Sequence, residues 1–142
     1  MNVNCNSYFK GKVFTGVGEG FFYVSLYSKK FLEKLGFMPY PGTLNLRLLE
    51  NVDSFNSCLN NINPIVVEPP TIPGMKLGVV YVYPAEIDGY YNPNIFIVRP
   101  TITVYKGDVV ELIADVSLRE VLSLSDGDIV RFKILAFINP GS

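Results

Sequence analysis

The sequence predicts an all-β fold with short helices, built as a small barrel or sandwich, and three observations carry that prediction. Glycine and proline, 12 and 10 of them, punctuate the chain at short intervals. The runs between them are brief and rich in Val, Ile, Tyr and Phe, side chains that suit a pleated, half-buried surface. With 142 residues, 49% of them hydrophobic and 18% charged, the chain has the apolar material for one domain with a packed core and lacks the composition of a disordered segment.

Residues 11–14 form the first expected strand, and Gly16-Val17-Gly18-Glu19-Gly20 then breaks the chain. Residues 21–26, bulky and partly β-branched, are expected to resume as a strand. Ser28 is a cap for a short helix over 29–35, closed by Gly36, with Phe31, Leu32 and Leu35 on one face. Pro39 and Pro41 bracket a rigid turn. Residues 43–49 form a strand in which Leu44, Leu46 and Leu48 alternate with other residues. Val52, Phe55 and Leu59 have helical spacing, but their Asn-rich surroundings leave a loop or a short helix open. Pro69, Pro70 and Pro73 mark an extended linker to a hairpin of residues 77–86 and 94–99, turned at Asp88-Gly89. Residues 101–108, with Lys106-Gly107, form an exposed connection to a strand over 109–114. A short helix over 118–122 follows Ser117, Asp126-Gly127-Asp128 makes a tight turn, and residues 129–138 form the last strand. No internal repeat or second domain is visible, so residues 1–142 are expected to be a single domain.

Several function classes drop out on composition. A net charge of −1 without a basic stripe disfavours a nucleic-acid partner. The apolar run around 78–83 is far short of the ~20 residues of a membrane helix, and residues 1–8 are polar and lack the apolar core of a signal peptide, so a cytoplasmic protein without a membrane partner is expected. Cys5 and Cys58 show no CxxC spacing, which argues against zinc and leaves two free, buried or partly buried thiols as the expectation. Histidine is absent. That removes a histidine base, the Ser-His-Asp and Cys-His arrangements and every histidine metal site. What remains is carboxylates, Lys and Arg, hydroxyls, backbone dipoles and hard metal ions. Phosphoryl transfer suits those tools, since it needs mainly positioning and charge stabilisation.

Three segments could carry such chemistry. Alternate glycines in 16–20 let the backbone approach a ligand and form an anion-binding nest. The spacing matches neither a Walker A loop nor a dinucleotide fingerprint, which a helix follows, and by itself it reads as a hairpin turn. In Pro41-Gly42-Thr43-Leu44-Asn45-Leu46, the strand period sends Thr43 and Asn45 to one side and Leu44 and Leu46 to the core. A hydroxyl and an amide oxygen are hard, neutral ligands suited to Mg²⁺ shared with a phosphate; composition alone equally allows a solvent-facing Thr and Asn. Glu111 interrupts an apolar strand, either facing solvent or entering a pocket where burial would raise its pKa. Arg119 could meet phosphate or pair with nearby acids. Asp126-Gly127-Asp128 lacks calcium-loop spacing and reads as a turn.

Taken in order, these segments resemble the CTP-dependent riboflavin kinase family of archaea. The stretches that carry the resemblance are Thr15-Gly16-Val17-Gly18-Glu19-Gly20, Tyr23-Val24-Ser25-Leu26, the block Leu35-Gly36-Phe37-Met38-Pro39-Tyr40-Pro41-Gly42-Thr43-Leu44-Asn45-Leu46, Leu118-Arg119-Glu120 and the turn Asp126-Gly127-Asp128. The resemblance implies a six-stranded cradle-loop β-barrel and the transfer of the γ-phosphoryl group of CTP to riboflavin, giving FMN and CDP. It implies that Gly16, Val17, Gly18, Glu19, Gly20 and Phe21 hold the nucleotide, with Val116, Ser117, Leu118 and Arg119 as a second nucleotide-binding stretch. Thr43 and Asn45 match Mg²⁺ ligands, and Thr103 and Glu111 match flavin contacts. Glu111 is also the residue expected to orient or deprotonate the ribityl hydroxyl. One or two of the aromatic side chains would wall the flavin pocket. Asp115 stands where a proline is expected, and residues 51–73 carry no family signal. The expected partners are riboflavin, FMN, CTP and CDP, on a monomer. Two rivals remain: a flavokinase using ATP, and a non-catalytic small barrel that binds a ligand or a protein.

Overall fold

A computed structural model describes residues 5–135. The chain order is β1 (Phe9–Phe14), α1 (Glu19–Leu26), α2 (Ser28–Leu35), β2 (Leu44–Leu48), α3 (Val52–Asn60), β3 (Ile65–Val67), β4 (Val80–Ile87), β5 (Ile95–Pro100), β6 (Val109–Ala114), α4 (Leu118–Val121) and β7 (Ile129–Ile134). The strands pair antiparallel in the order β4-β5-β6-β2-β1-β7, and β7 returns to β4, so six strands close into a barrel. β3 is appended to the first half of β4. One edge of β4 thus serves two partners: β3 along Val80–Val82 and β7 along Ala85–Ile87. Pro84 sits at the handover, where a missing N–H breaks no ladder and its carbonyl still accepts from Leu135 N at 2.9 Å.

The bore is filled by alternating side chains, among them Val13, Leu46, Ile97, Leu112, Val130 and Phe132. Gly11 lies in β1 because Leu46 presses on it; an added Cβ would meet Leu46 Cβ at 2.7 Å. Strands β4 to β6 are buried on their outer face too, where Val80, Val82, Phe96, Val98 and Ile113 pack under Tyr23, Val24, Tyr27 and Phe31 of the first two helices. That double burial explains why residues 95–98 form an unbroken apolar run.

Several expectations change. Residues 21–26 belong to helix α1, and the glycine segment therefore opens a helix and is not a hairpin turn. Tyr23, Val24 and Tyr27 are buried at helical spacing while Phe21 and Phe22 stay exposed, so tertiary burial overrides a local preference for strand. Gly18, at φ 88°, sets the left-handed entry. The 52–59 segment resolves as helix α3, and β3 was not expected because three residues between Pro64 and Glu68 show no period.

Cys5 and Cys58 are not free thiols: they form a disulfide across 53 positions. Helix α3 closes one end of the barrel through Phe55, which packs edge-on against Phe9 at 5.2 Å and Phe132 at 5.8 Å. That docking brings Cys58 to the segment leading into β1, with the two Cα atoms 5.6 Å apart. Spacing along the chain carries no trace of this approach. α2 ends at Gly36 with φ 81° as expected, but Ser28 is its first residue and not its cap. Tyr27 stands at the N-cap without a side-chain bond, and Leu32 is exposed while Phe31 is buried. Ser117 Oγ does cap α4, accepting from Glu120 N at 3.3 Å. The expected last strand also ran through 136–138, which lie outside the described residues. Asp115, in place of the expected proline, accepts from Asn92 at 2.9 Å and Asn94 at 3.2 Å and so ties down the 90–94 turn.

Candidate active site

The site stands on the outside of the barrel. β2 sends Leu44, Leu46 and Leu48 into the bore, so Thr43 and Asn45 project outward together. Glu111 of β6 lies opposite Asn45 in the ladder and faces the same way. Thr43 Oγ1 approaches Asn45 Oδ1 at 2.9 Å and Glu111 Oε1 at 3.3 Å. One hydroxyl proton thus stands among three oxygens, two of which only accept when Glu111 is ionised. That shortage of donors is relieved by a cation or by a proton on Glu111. The hydroxyl of Thr43 and the amide oxygen of Asn45 are hard, neutral donors that fit Mg²⁺, and the Glu111 carboxylate stands beside them. Among the described residues, no group of three or more Asp, Glu, His or Cys forms an all-protein cage for a metal.

Glu111 is the one buried charged side chain in the described core, 4% exposed. Burial pushes its pKa up to about 7; the nearby Glu19 charge adds to this, while Thr43 and Tyr23 pull the other way. The Tyr23 hydroxyl is itself buried, without a partner in hydrogen-bonding geometry among the described residues. Burial first, then the charges of Glu111 and Glu19, push it well above the ordinary tyrosine value.

The glycine segment lies directly on this cluster. A Cβ on Gly16 would collide with the Asn45 amide and the Tyr105 hydroxyl, and one on Gly20 with the Thr43 hydroxyl. Only hydrogen at those positions lets the backbone come so close. Val17 N donates to Tyr105 Oη at 3.0 Å, and Glu19 Oε2 accepts from Thr103 Oγ1 at 3.2 Å. Phe21 is 61% exposed.

The stretch of Val116, Ser117, Leu118 and Arg119 approaches from the other flank. With Tyr40, Gly42 and Thr43 it lines a small cavity of about 40 Å³. Asp126 joins the two flanks: it accepts from Arg119 at 2.7 Å and from Thr15 Oγ1 at 2.9 Å. Arg119 is therefore paired with an acid in this structure, and that guanidinium holds the Asp126 carboxyl below its ordinary range. Two further cavities flank the cluster. A mostly apolar one of about 390 Å³ lies between α1 and the segments around 75–80 and 100–104, walled by Phe22, Tyr23, Tyr27 and Leu77, with Glu19 and Thr103 at its polar side. A smaller one of about 130 Å³ is shared by Thr103, Tyr105 and Glu111.

Of the candidate site residues read from the sequence, Thr43, Asn45, Glu111, Gly16 and Gly20 come together directly. Val17 and Glu19 reach the 103–105 loop, and the 116–119 stretch shares a cavity with Thr43. Gly18 borders open space, Phe21 is exposed and Leu118 is buried in the barrel core. Tyr23, Tyr105 and Asp126 were missed. Tyr23 lay in a segment expected as strand, Tyr105 in a connection without periodicity, and Asp126 in an ordinary turn.

Comparison with known proteins places the chain among its relatives. The family profile named for CTP-dependent riboflavin kinase, and described as the domain of unknown function DUF120, matches residues 13–134. A riboflavin kinase of Aeropyrum pernix is 51% identical over 127 residues, covering 89% of this chain and 95% of the relative. Riboflavin kinases of Archaeoglobus fulgidus and Pyrococcus furiosus are each 42% identical, over 128 and 125 residues, covering 89% and 88% of this chain. The chain spans only 54% and 57% of those two relatives. With that profile covering most of the barrel, the chain belongs to the CTP-dependent riboflavin kinase family.

Proposed function

We propose that this chain passes the γ-phosphoryl group of CTP to the ribityl 5′-hydroxyl of riboflavin on the outer face of its barrel, giving FMN and CDP. Family membership supports the kinase activity, the flavin acceptor and a nucleotide donor. The observation that carries the chemistry is the meeting of Thr43 Oγ1, Asn45 Oδ1 and Glu111 Oε1 beneath a glycine segment that only hydrogen side chains allow so close.

In this reading Thr43 and Asn45 would hold Mg²⁺, which would supply charge neutralisation for the transferring phosphoryl group. The amides of the 16–21 segment hold phosphate oxygens. The 116–119 stretch, facing Thr43 across the small cavity, takes the cytosine edge with its backbone groups, and Arg119 is drawn between Asp126 and the phosphates. The aromatic-walled cavity of about 390 Å³ has the size and lining for a flavin ring. Thr103 lines that cavity and shares the smaller one of about 130 Å³ with Glu111, where the ribityl chain would run. Glu111, buried and near neutrality, orients the attacking hydroxyl and accepts its proton. A loose transition state asks little more of a base. The barrel and its helices work here as one kinase domain, since α1 is packed on the strands that carry Glu111.

The test is to incubate the protein with riboflavin and Mg²⁺ in parallel with CTP, UTP and ATP. FMN and the matching diphosphate should form fastest with CTP. Equal or better turnover with ATP would make the chain a general flavokinase, and no FMN with any donor would leave a binding barrel.

A further inference from the structure

The loop that carries Thr103 is already occupied. Glu19 Oε2 accepts from Thr103 Oγ1 at 3.2 Å and from Val104 N at 3.4 Å. The Thr103 oxygen in turn accepts from Tyr105 N at 3.1 Å. Two donors of this loop at the 390 Å³ cavity, the Thr103 hydroxyl and Val104 N, are therefore spent on a carboxylate that lines the same cavity. A flavin presents acceptors to such donors, as ring carbonyls and ribityl oxygens. A hydroxyl has one proton, so the Thr103 hydroxyl cannot serve Glu19 and a flavin oxygen together.

Glu19 is also the single acid of the glycine segment, in the first turn of α1. Phosphates laid along that segment carry the same charge as Glu19 and compete with it for the positive end of the helix. A nucleotide therefore pushes Glu19 off the loop. We propose that Glu19 is an internal stand-in for the flavin's acceptor oxygens, released by nucleotide, so that bound nucleotide raises the affinity of the 103–104 loop for riboflavin. The inference rests on the reading of 16–21 as the nucleotide segment. Tyr105 provides its control. Its hydroxyl accepts from Val17 N at 3.0 Å and makes a second link between the same two segments, one that occupies neither the Thr103 hydroxyl nor Val104 N.

Riboflavin binding to the full chain, followed by quenching of flavin fluorescence, tests this with and without saturating CDP, which supports no turnover. CDP should tighten riboflavin binding on the order of tenfold. In Glu19→Ala, nucleotide-free binding should tighten by a similar factor and the CDP effect should fall to about twofold or less. Glu19→Gln, which keeps the side chain's bulk, should move both values the same way by a smaller amount and serves if the alanine variant does not fold. Tyr105→Phe should keep the CDP effect. The inference is overturned if CDP leaves wild-type riboflavin affinity unchanged. It is equally overturned if nucleotide-free binding in both Glu19 variants is unchanged or weaker, or if Tyr105→Phe reproduces the Glu19 result, since loosening the loop would then suffice. FMN formation from CTP by the wild type, run alongside, separates the two levels. Without FMN the kinase reading fails; with FMN and an unresponsive Glu19, only the stand-in role fails.

Discussion

Asn45 and Glu111 lie directly across from each other in the β2–β6 ladder, and the Thr43 hydroxyl reaches both, at 2.9 and 3.3 Å. The ladder holds an amide oxygen, a hydroxyl and a carboxylate in fixed register, so replacement of each has its own signature.

Glu111→Gln keeps the shape and removes the proton acceptor. Turnover at saturating riboflavin and CTP should fall by about 10- to 100-fold, at the modest end for a general base because the transition state is loose. The KM for riboflavin should change by less. Steady-state kinetics on the purified variant decide it. Lost flavin affinity with intact turnover would make Glu111 a binding residue only.

Asn45→Ala removes one of the two neutral oxygens proposed for the metal. The Mg²⁺ concentration giving half-maximal rate should rise by about tenfold or more, as expected when a ligand is deleted from a small set. An unchanged Mg²⁺ titration would place the ion elsewhere.

Gly20→Ala and Gly18→Ala should part company. A methyl on Gly20 meets the Thr43 hydroxyl and lies 3.0 Å from Thr43 Cβ and Cγ2, so it displaces a site residue. Activity should fall at least about tenfold, as for other misplacements near reacting groups. Gly18 has open space around it but φ 88°, so its alanine variant should lose ~1 kcal/mol of stability with the smaller kinetic effect. Thermal unfolding and rates measured together separate strain from collision.

Reduction of Cys5–Cys58, or Cys58→Ser, frees a loop of 53 residues. Loop-closure entropy puts the loss at ~4 kcal/mol as an upper estimate. The unfolding midpoint should drop in dithiothreitol for the wild type and not for the Ser variant. A wild type insensitive to reductant, with thiols that titrate in the native state, would show the bond absent.

The ligand-free fold should also respond to pH through Glu111. Its folded pKa is raised, from an ordinary 4.5 to about 7, chiefly by burial and then by Glu19. The unfolded carboxyl loses its proton first, so this group's contribution to stability is present below about pH 4.5 and is lost between there and about pH 7, by up to ~3 kcal/mol. Urea midpoints in EDTA at pH 5 and 7.5 should therefore differ more in the wild type than in Glu111→Gln.

How far the chain could be read from sequence follows from what each residue's signal depends on. Leu44, Leu46 and Leu48 declare β2 because alternation is local, and with β2 come the facing positions of Thr43 and Asn45. The 109–114 strand and the 117 cap are local too, and both fell in place. Residues 21–26 misled because a run of Phe, Tyr and Val states only that burial is wanted; α1 became helical to lay Tyr23, Val24 and Tyr27 on the outer wall. The glycine segment announced a close approach but not its object, which is the pair of side chains on β2. Tyr105 and Asp126 act through partners 88 and 111 positions away, Val17 and Thr15, and Cys5 meets Cys58 only because α3 caps the barrel. Contacts of that range leave no period to read.

The bore of the barrel is packed with aliphatic and aromatic side chains, while the Thr43, Asn45 and Glu111 groups proposed for chemistry stand on its outer side. Stability and specificity are thereby written on opposite faces of the same strands. An engineer altering donor preference through Ser117 or Arg119, or the flavin pocket through Met75 or Lys76, would be changing a veneer, leaving the filled cylinder behind it, Leu118 and Val80 included, to fold as before.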